Sequence, residues 1–262
     1  MPHPLTDILC LCYNQLSITQ QFVKHLFANT QNFRVSFLDN NSTDKTLEYL
    51  EKISQTHENC FYFHSDKNLG IIKGRNYLAN KLFTSSYFNE EPSKYFLNID
   101  NDQYVIKNTW LSQLHNLMSQ GYDIVGVDAW QLLPPNSKRT VVISSRLTKD
   151  SSYFPHRRCT QKRDAFSYVG CGGCLIKKTV YDDIGLFDER YRMCYFEDPD
   201  YSFTAIKAGY KIAWLHNCPI LHLSHQTLNS QISYDKHKEF SDSWKSFREK
   251  WYPYFPDLMV ME

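Results

Sequence analysis

Two kinds of run alternate along the first 130 residues. Short, nearly continuous apolar stretches cover Asp7–Cys12, Arg34–Asp39, Cys60–His64, Tyr95–Asp100 and Asp123–Val127. Runs of that length predict strands buried on both faces. Between them, Phe22, Val23, Leu26 and Phe27 fall at i, i+1, i+4, i+5, and Leu47, Leu50 and Ile53 recur every three residues. Each set places one apolar stripe on a helix. Strands alternating with such helices predict βαβ units: a Rossmann-like α/β fold with a mostly parallel central sheet flanked by helices.

After Asp128 the pattern loosens. Pro134-Pro135, a strand candidate at Val141–Ile143 and a polar, basic stretch from Arg146 to Arg163, which holds His156-Arg157-Arg158, read as a long surface loop. A turn with Gly170, Gly172 and Gly173 leads into another apolar run. A helix is predicted from Pro199 to Ala208, with Pro at its start and Gly209 as its stop, and a strand over Lys211–Leu215. Phe240, Trp244, Phe247 and Trp251 recur at i, i+4, i+7, i+11 and put four aromatics on one side of a C-terminal helix. Core packing is expected for that face, with a membrane-surface or partner-docking helix as the alternative. No repeat or linker divides the chain, so residues 1–262 are read as one domain with parts at 1–128, 129–235 and 236–262.

Composition narrows the class. Of 262 residues, 42% are hydrophobic and 22% charged, ordinary globular usage that argues against a disordered, collagenous or coiled-coil chain. Lys and Arg total 29 against 28 for Asp and Glu, a net charge of +1, so no global field points to nucleic acid. The longest apolar runs fall well short of the roughly 20 residues a bilayer span requires. Met1–Asp7 carries no basic stretch followed by an apolar one. The expectation is a cytoplasmic protein without a transmembrane segment, with peripheral membrane contact left open. Oligomeric state is not legible. Among the eight cysteines, Cys10, Cys12 and Cys60 sit in strand-like runs, and Cys171 and Cys174 form a single CxxC with no second ligand pair. Reduced thiols are expected rather than a zinc site.

Ligands of parallel α/β sheets bind beyond the carboxyl ends of the strands, so the residues there carry the candidate chemistry. Four strand ends are polar: Cys12-Tyr13-Asn14, Asp39–Asp44, Ser65–Gly70 and Asp100-Asn101-Asp102. Each alone could be a turn or helix cap. Asp100 and Asp102 flank one residue after an apolar strand, a spacing that brings two carboxylates toward one hard cation completed by diphosphate oxygens. Glu197-Asp198-Pro199-Asp200 precedes a predicted helix, where acidic residues cap well, or where one serves as a general base. His222 and His225 lie in Pro219–His225. In a strand they face opposite sides, so one is expected at a metal and the other in a structural place.

Taken together, from about residue 5 to 227, these ordered motifs resemble the family 2 glycosyltransferases of the GT-A fold. The resemblance implies that Cys12, Tyr13, Asn14, Asp39 and Asn41 embrace the nucleotide base and ribose, with Asp39 the base-contacting acid. Asn68, Gly70, Gly74, Arg75 and Asn76 match NxGxxxGRN, whose Arg lies near the nucleotide. Asp100-Asn101-Asp102 resembles the DxD motif, implying Asp102 on Mn2+ or Mg2+, Asp100 near the ribose or metal and Asn101 at the nucleotide, with His222 as a further metal ligand. Gly172-Gly173 resembles the segment flanking donor sugar and acceptor. Glu197-Asp198 resembles the ED motif, implying Asp198 as base and Glu197 as its support or an acceptor contact. His225 has no firm counterpart, and Lys207 stands where the family often carries an Arg.

The implied activity is metal-dependent, inverting transfer of a sugar from a nucleoside diphosphate sugar, UDP- or dTDP-linked, to a hydroxyl of a glycan, lipid-linked or protein-linked acceptor. Residues 1–128 would bind the donor, 129–235 the acceptor. The rivals are a noncatalytic nucleotide-sugar or glycan-binding module and a nucleotidyltransferase. The last wants a Gly-rich basic loop after the first strand, and Cys12–Ser17 is not one.

Overall fold

The computed structural model describes residues 3–84, 91–132, 156–158, 167–223 and 235–255. From the N-terminus, β1 (Thr6–Cys12), α1 (Leu16–Asn29), β2 (Phe33–Asp39), α2 (Thr46–Thr56), β3 (Cys60–His64), α3 (Gly70–Thr84) and β4 (Tyr95–Asp100) alternate as the pattern predicts. There follow β5 (Gln103–Val105), α4 (Trp110–Ser119), β6 (Ile124–Gly126), β7 (Ala129–Leu132), β8 (His156–Arg158), β9 (Ser167–Val169), β10 (Cys174–Lys177) and α5 (Lys178–Ile184). A short 3-10 turn (Glu189–Tyr191), α6 (Glu197–Lys207), β11 (Ile212–Trp214), β12 (Ile220–His222) and α7 (Lys236–Trp251) complete the chain as described.

The central sheet has seven strands in the order β11-β6-β10-β4-β1-β2-β3. All neighbours run parallel except β10, which is antiparallel to both β4 and β6. Residues on both sides of position 128 build this sheet. Two small sheets sit beside it, β12 with β5 and β8-β7-β9.

The apolar runs are continuous because the strands are covered twice. Ile8, Cys10, Val35, Phe37, Leu97 and Ile99 pack with α1, α2 and α4 through Phe22, Leu26, Leu50 and Trp110. Leu9, Leu38 and Phe96 face the opposite layer with Ile72, Leu78 and Leu82 of α3, Val180 of α5, Phe203 of α6 and Phe247 of α7. At the far end from the polar loops, Arg34 donates to Asp7 at 2.6 and 2.9 Å, and the Ser93 backbone N–H adds a bond of 2.8 Å. This buried pair is balanced from several sides, as a charge out of water requires. Among the described residues the cysteines are free thiols. Burial pushes the Cys60 thiol up to about 12, so it behaves as a small hydrophobe.

The aromatic face of the C-terminal helix is core. Trp244, Phe247 and Trp251 are buried, and Phe203 meets Phe247 at 5.9 Å between ring centroids and Trp251 at 5.5 Å.

Two expectations need correction. The helix expected from Pro199 begins at Glu197, so Glu197 and Asp198 form its first turn rather than precede it. Pro199 is tolerated there because the N–H it lacks is one of the donors that a first turn leaves unpaired. The basic stretch is not all loop, since His156–Arg158 pairs with Leu132–Trp130 as an edge strand. At three residues it is too short for alternation to show. Val141–Ile143 and His225 lie outside the described residues.

Candidate functional site

The ends of β1, β2, β3 and β4 gather at one edge of the sheet, and hydrogen bonds between loops organise what they carry. Cys12 is wholly buried, so its side chain belongs to the core. Asn14, in the left-handed region at φ 54°, accepts from the Thr43 N–H at 2.7 Å, while its own N–H donates to Ser42 Oγ at 2.8 Å. Tyr13, beside it, is half-buried. Asp44 accepts from the Leu16 and Thr46 N–H groups at 3.0 and 2.9 Å, and these bonds outweigh the penalty of burial and hold its carboxyl below the usual range. The first two loops are thereby stitched into one wall. Asn41 also takes the left-handed conformation, at φ 69°.

Asp39 is fully enclosed, and its carboxylate takes a 2.8 Å hydrogen bond from His64 Nδ1. Asn40 ties the wall to the next loop by donating to Asn68 Oδ1 at 3.1 Å and accepting from the Leu69 N–H at 2.8 Å. Asn68 in turn caps the Gly70 N–H at 2.9 Å. Gly70 has φ +78°, and a Cβ there would lie 2.9 Å from Met193 Cα, so positive φ and close approach both require glycine. Asn76 brackets the backbone of Phe187, donating to its carbonyl at 2.8 Å and accepting from its N–H at 3.0 Å.

Arg75, one turn into α3, is the electrostatic centre. Its Nη2 donates to Asp100 Oδ1 at 2.9 Å, and Nη1 lies 3.9 Å from Glu197 Oε1 with no hydrogen-bond partner among the described residues. Burial opposes its charge, but Asp100, Asp198 and Glu197 raise the guanidinium pKa further still.

Three groups converge beside it. Asp100, Asp102 and His222 each present one ligand atom, all within 4.8 Å of one another. His222 reaches this place because β12 pairs with β5, setting it opposite Gln103, and its Nε2 lies 3.3 Å from Asp102 Oδ1. Burial disfavours the imidazolium, yet Asp102, Asp100 and Asp128 outweigh burial and raise the His222 pKa. Two carboxylates and an imidazole suit Mn2+, and the oxygen pair also suits Mg2+. Asn101, between the two acids, turns inward and donates to Thr19 Oγ1 at 2.9 Å.

The glycine turn touches both acidic sets. Gly172 lies so close to Asp100 that a Cβ would fall 2.3 Å from Oδ2. The next residue, Gly173, is locked to β4 by its N–H bond to Asn98 O at 2.7 Å. The preceding residue, Cys171, donates its backbone N–H to Asp198 Oδ1 at 3.0 Å. Glu197 is buried, and desolvation, with the Asp198 charge beside it, pushes its carboxyl up to about 8. Desolvation also raises Asp198, against the pull of Arg75 and the Cys171 bonds. Lys207 stands apart at the other end of α6, where its Nζ bonds Tyr254 OH at 2.6 Å.

Gln103 escaped the sequence reading. It is almost wholly buried, accepts from the Asp100 N–H at 3.0 Å and donates to the Gly172 carbonyl at 3.2 Å, joining the two motifs. Its only signal is a polar residue directly after the acidic pair. His64 ends a predicted strand, and nothing in its local sequence marks it as the partner of Asp39.

The sequence model of glycosyl transferase family 2 matches residues 7–185. The chain belongs to that family. Glu197, Asp198 and His222 lie beyond the matched span. No curated protein matches the chain by sequence. Among solved structures, this family 2 chain is similar to GalNAc-T7 with UDP, GalNAc and Mn2+, at TM-score 0.68 and 13% identity, covering 97% of this chain and 49% of that one. It is similar to residues 1–349 of S. aureus TarS in complex with UDP-GlcNAc, at TM-score 0.58 and 15% identity, covering 95% and 66%. It is also similar to the mannosyltransferase PcManGT from Pyrobaculum calidifontis in complex with GDP-Man and Mn2+, at TM-score 0.52 and 14% identity, covering 83% and 56%. The family 2 chain thus spans roughly half to two thirds of these proteins, and the likeness establishes the GT-A fold. None of its described helices is long and apolar enough to cross a membrane.

Proposed function

We propose that this chain transfers a sugar, with inversion, from a nucleoside diphosphate sugar to a hydroxyl of a glycan, lipid-linked or protein-linked acceptor. The supporting observation is that consecutive residues touch the two acidic sets: Cys171 holds Asp198, and Gly172 abuts Asp100. A carboxylate fit to accept a proton therefore stands across a glycine turn from a carboxylate fit to face a cation.

In this reading the loops after β1, β2 and β3 (Tyr13, Asn14, Asn41, Asn68, Gly70) surround the nucleoside, and residues after 128 supply the acceptor side. Asp100, Asp102 and His222 would hold Mn2+ or Mg2+, which when bound offsets charge on a diphosphate leaving group. Arg75 Nη1, buried and without a hydrogen-bond partner among the described residues, has a hydrogen bond to give to an anionic oxygen at that place. Asp198 accepts the acceptor proton as the oxygen attacks, and its raised pKa brings it nearer to working pH. Glu197 supports it. UDP or dTDP is the expected nucleotide, and the GDP-Man complex of PcManGT keeps GDP in the panel.

The test is calorimetric binding of UDP, dTDP, GDP, CDP and ADP, each with and without Mn2+, followed by turnover with sugars of the nucleotide that binds. Asp198→Asn should lower turnover at least about 1,000-fold, with nucleotide affinity within about threefold. Unchanged turnover removes Asp198 from the role, and no nucleotide binding in either condition overturns the donor site.

A further inference from the structure

The Glu197–Asp198 pair is delivered by a backbone that its side chains do not favour. Tyr195 and Phe196 both adopt left-handed conformations, at φ 73° and 66°, immediately before the pair. Aromatic residues avoid that region, and they persist in it only where the surroundings over-determine them. Here the surroundings are α7.

Ser243, buried on α7, directs its hydroxyl at two carbonyls of this segment, Cys194 O at 2.9 Å and Tyr191 O at 3.2 Å. The Phe196 ring packs on Phe240, Trp244 and Phe247 with centroids 5.1 to 5.5 Å apart. Beyond the pair, Asp200 accepts from Trp251 Nε1 at 2.7 Å and Lys250 Nζ at 2.8 Å. The acidic pair is thus held from α7 on both sides along the chain. On the opposite face of the segment, the Met193 carbonyl accepts from the Ile71 N–H at 2.8 Å, beside Gly70. The segment has a fixed wall behind it and a brace in front.

We propose that Ser243 is a positioning residue for Glu197 and Asp198. It touches neither acid. It fixes the carbonyls of Tyr191 and Cys194, the second immediately before the chain turns left-handed at Tyr195 and Phe196, and so sets the direction in which α6 presents its first turn. This rests on the reading of Asp198 as the base. The aromatic seam supplies adhesion, which tolerates small slips, whereas a hydroxyl bonded to two carbonyls fixes register.

Ser243→Ala removes the donor and leaves the seam intact. Ser243→Cys keeps a weak donor of similar size. Hydrogen exchange should quicken about tenfold or more in peptides spanning 191–200 of the alanine variant, while β1 to β4 peptides stay unchanged. Calorimetric affinity for the nucleotide that binds the unaltered protein best should remain within about twofold. Donor KM should hold while kcat falls about 10- to 100-fold, since small misplacement at a reacting centre costs that much, and the cysteine variant should fall between. Unchanged exchange at 191–200 overturns the brace. Faster exchange with unaltered kcat overturns the positioning role, as does a kcat loss that tracks faster exchange throughout the chain. Absence of turnover in the unaltered protein counts against the transferase reading alone, and the exchange comparison still decides the brace.

Discussion

His64 Nδ1 donates to the Asp39 carboxylate at 2.8 Å, linking the last residues of two neighbouring parallel strands. The family resemblance would place Asp39 as the acid that meets the nucleobase. In this structure that carboxylate is enclosed, and the imidazole is the member of the pair that reaches solvent. The other hydrogen bonds to the carboxylate, from the Ser42 N–H, are long at 3.3 Å. His64→Ala should therefore leave a buried charge poorly satisfied. A hydrogen bond to a charged group contributes about 1.5–3 kcal/mol, which for a chain of this size lowers Tm by roughly 3–6 °C. Thermal unfolding at neutral pH checks it, and a drop under about 1 °C would mean that Asp39 finds another donor.

Gly172 tests the metal cluster separately from the fold. An added methyl would sit 2.3 Å from Asp100 Oδ2 and 3.0 Å from its Cγ, so the carboxylate must swing aside. Gly172→Ala should weaken Mn2+-dependent nucleotide binding about tenfold or more, while nucleotide binding without metal changes little. Calorimetry with and without Mn2+ reads both. Equal losses in the two conditions would show that the turn shapes the nucleotide pocket instead.

Arg75 faces Asp100 with one nitrogen and Glu197 with the other. A lysine keeps the charge but cannot fork. Arg75→Lys should cut turnover about 100-fold while thermal unfolding shifts far less than for Arg75→Met, which strands the surrounding carboxylates. Parallel activity and stability losses in the two variants would reduce Arg75 to a structural ion.

The ease with which this fold can be read from sequence follows from burial. β1, β2 and β4 are covered on both faces, so their runs are unbroken and their boundaries fall within a residue of those predicted. β5, β9 and β12 have three residues each, too few for any period, and their places are set by partners distant in sequence. The acidic motifs were legible because Asp100, Asp102, Glu197 and Asp198 cluster along the chain. Their supports were not. Gln103 and Ser243 act through backbone groups of residues 69 and about 50 positions away, and nothing local marks a buried polar residue as bonded to those groups. The start of α6 was misplaced because Pro199 suits a first helical position, whereas the left-handed Phe196 opens the helix two residues earlier.

Glu197 gives the protein a pH dependence with a definite sign. Its carboxyl is raised from 4.5 to about 8, by burial first and then by the charge of Asp198. Between those values the folded chain holds a proton that the unfolded chain has released, so stability falls as pH rises through the window and levels off above about 8. Asp198 is raised too and acts in the same direction. Glu197→Gln removes one titration and relieves the other, because an uncharged neighbour no longer repels Asp198. The variant's Tm should therefore match that of the unaltered protein near pH 5 and exceed it near pH 8.5, measured without added divalent metal. Tm curves that stay parallel from pH 5 to 8.5 would mean that Glu197 is ionised throughout, with Arg75 compensating the cost of its burial.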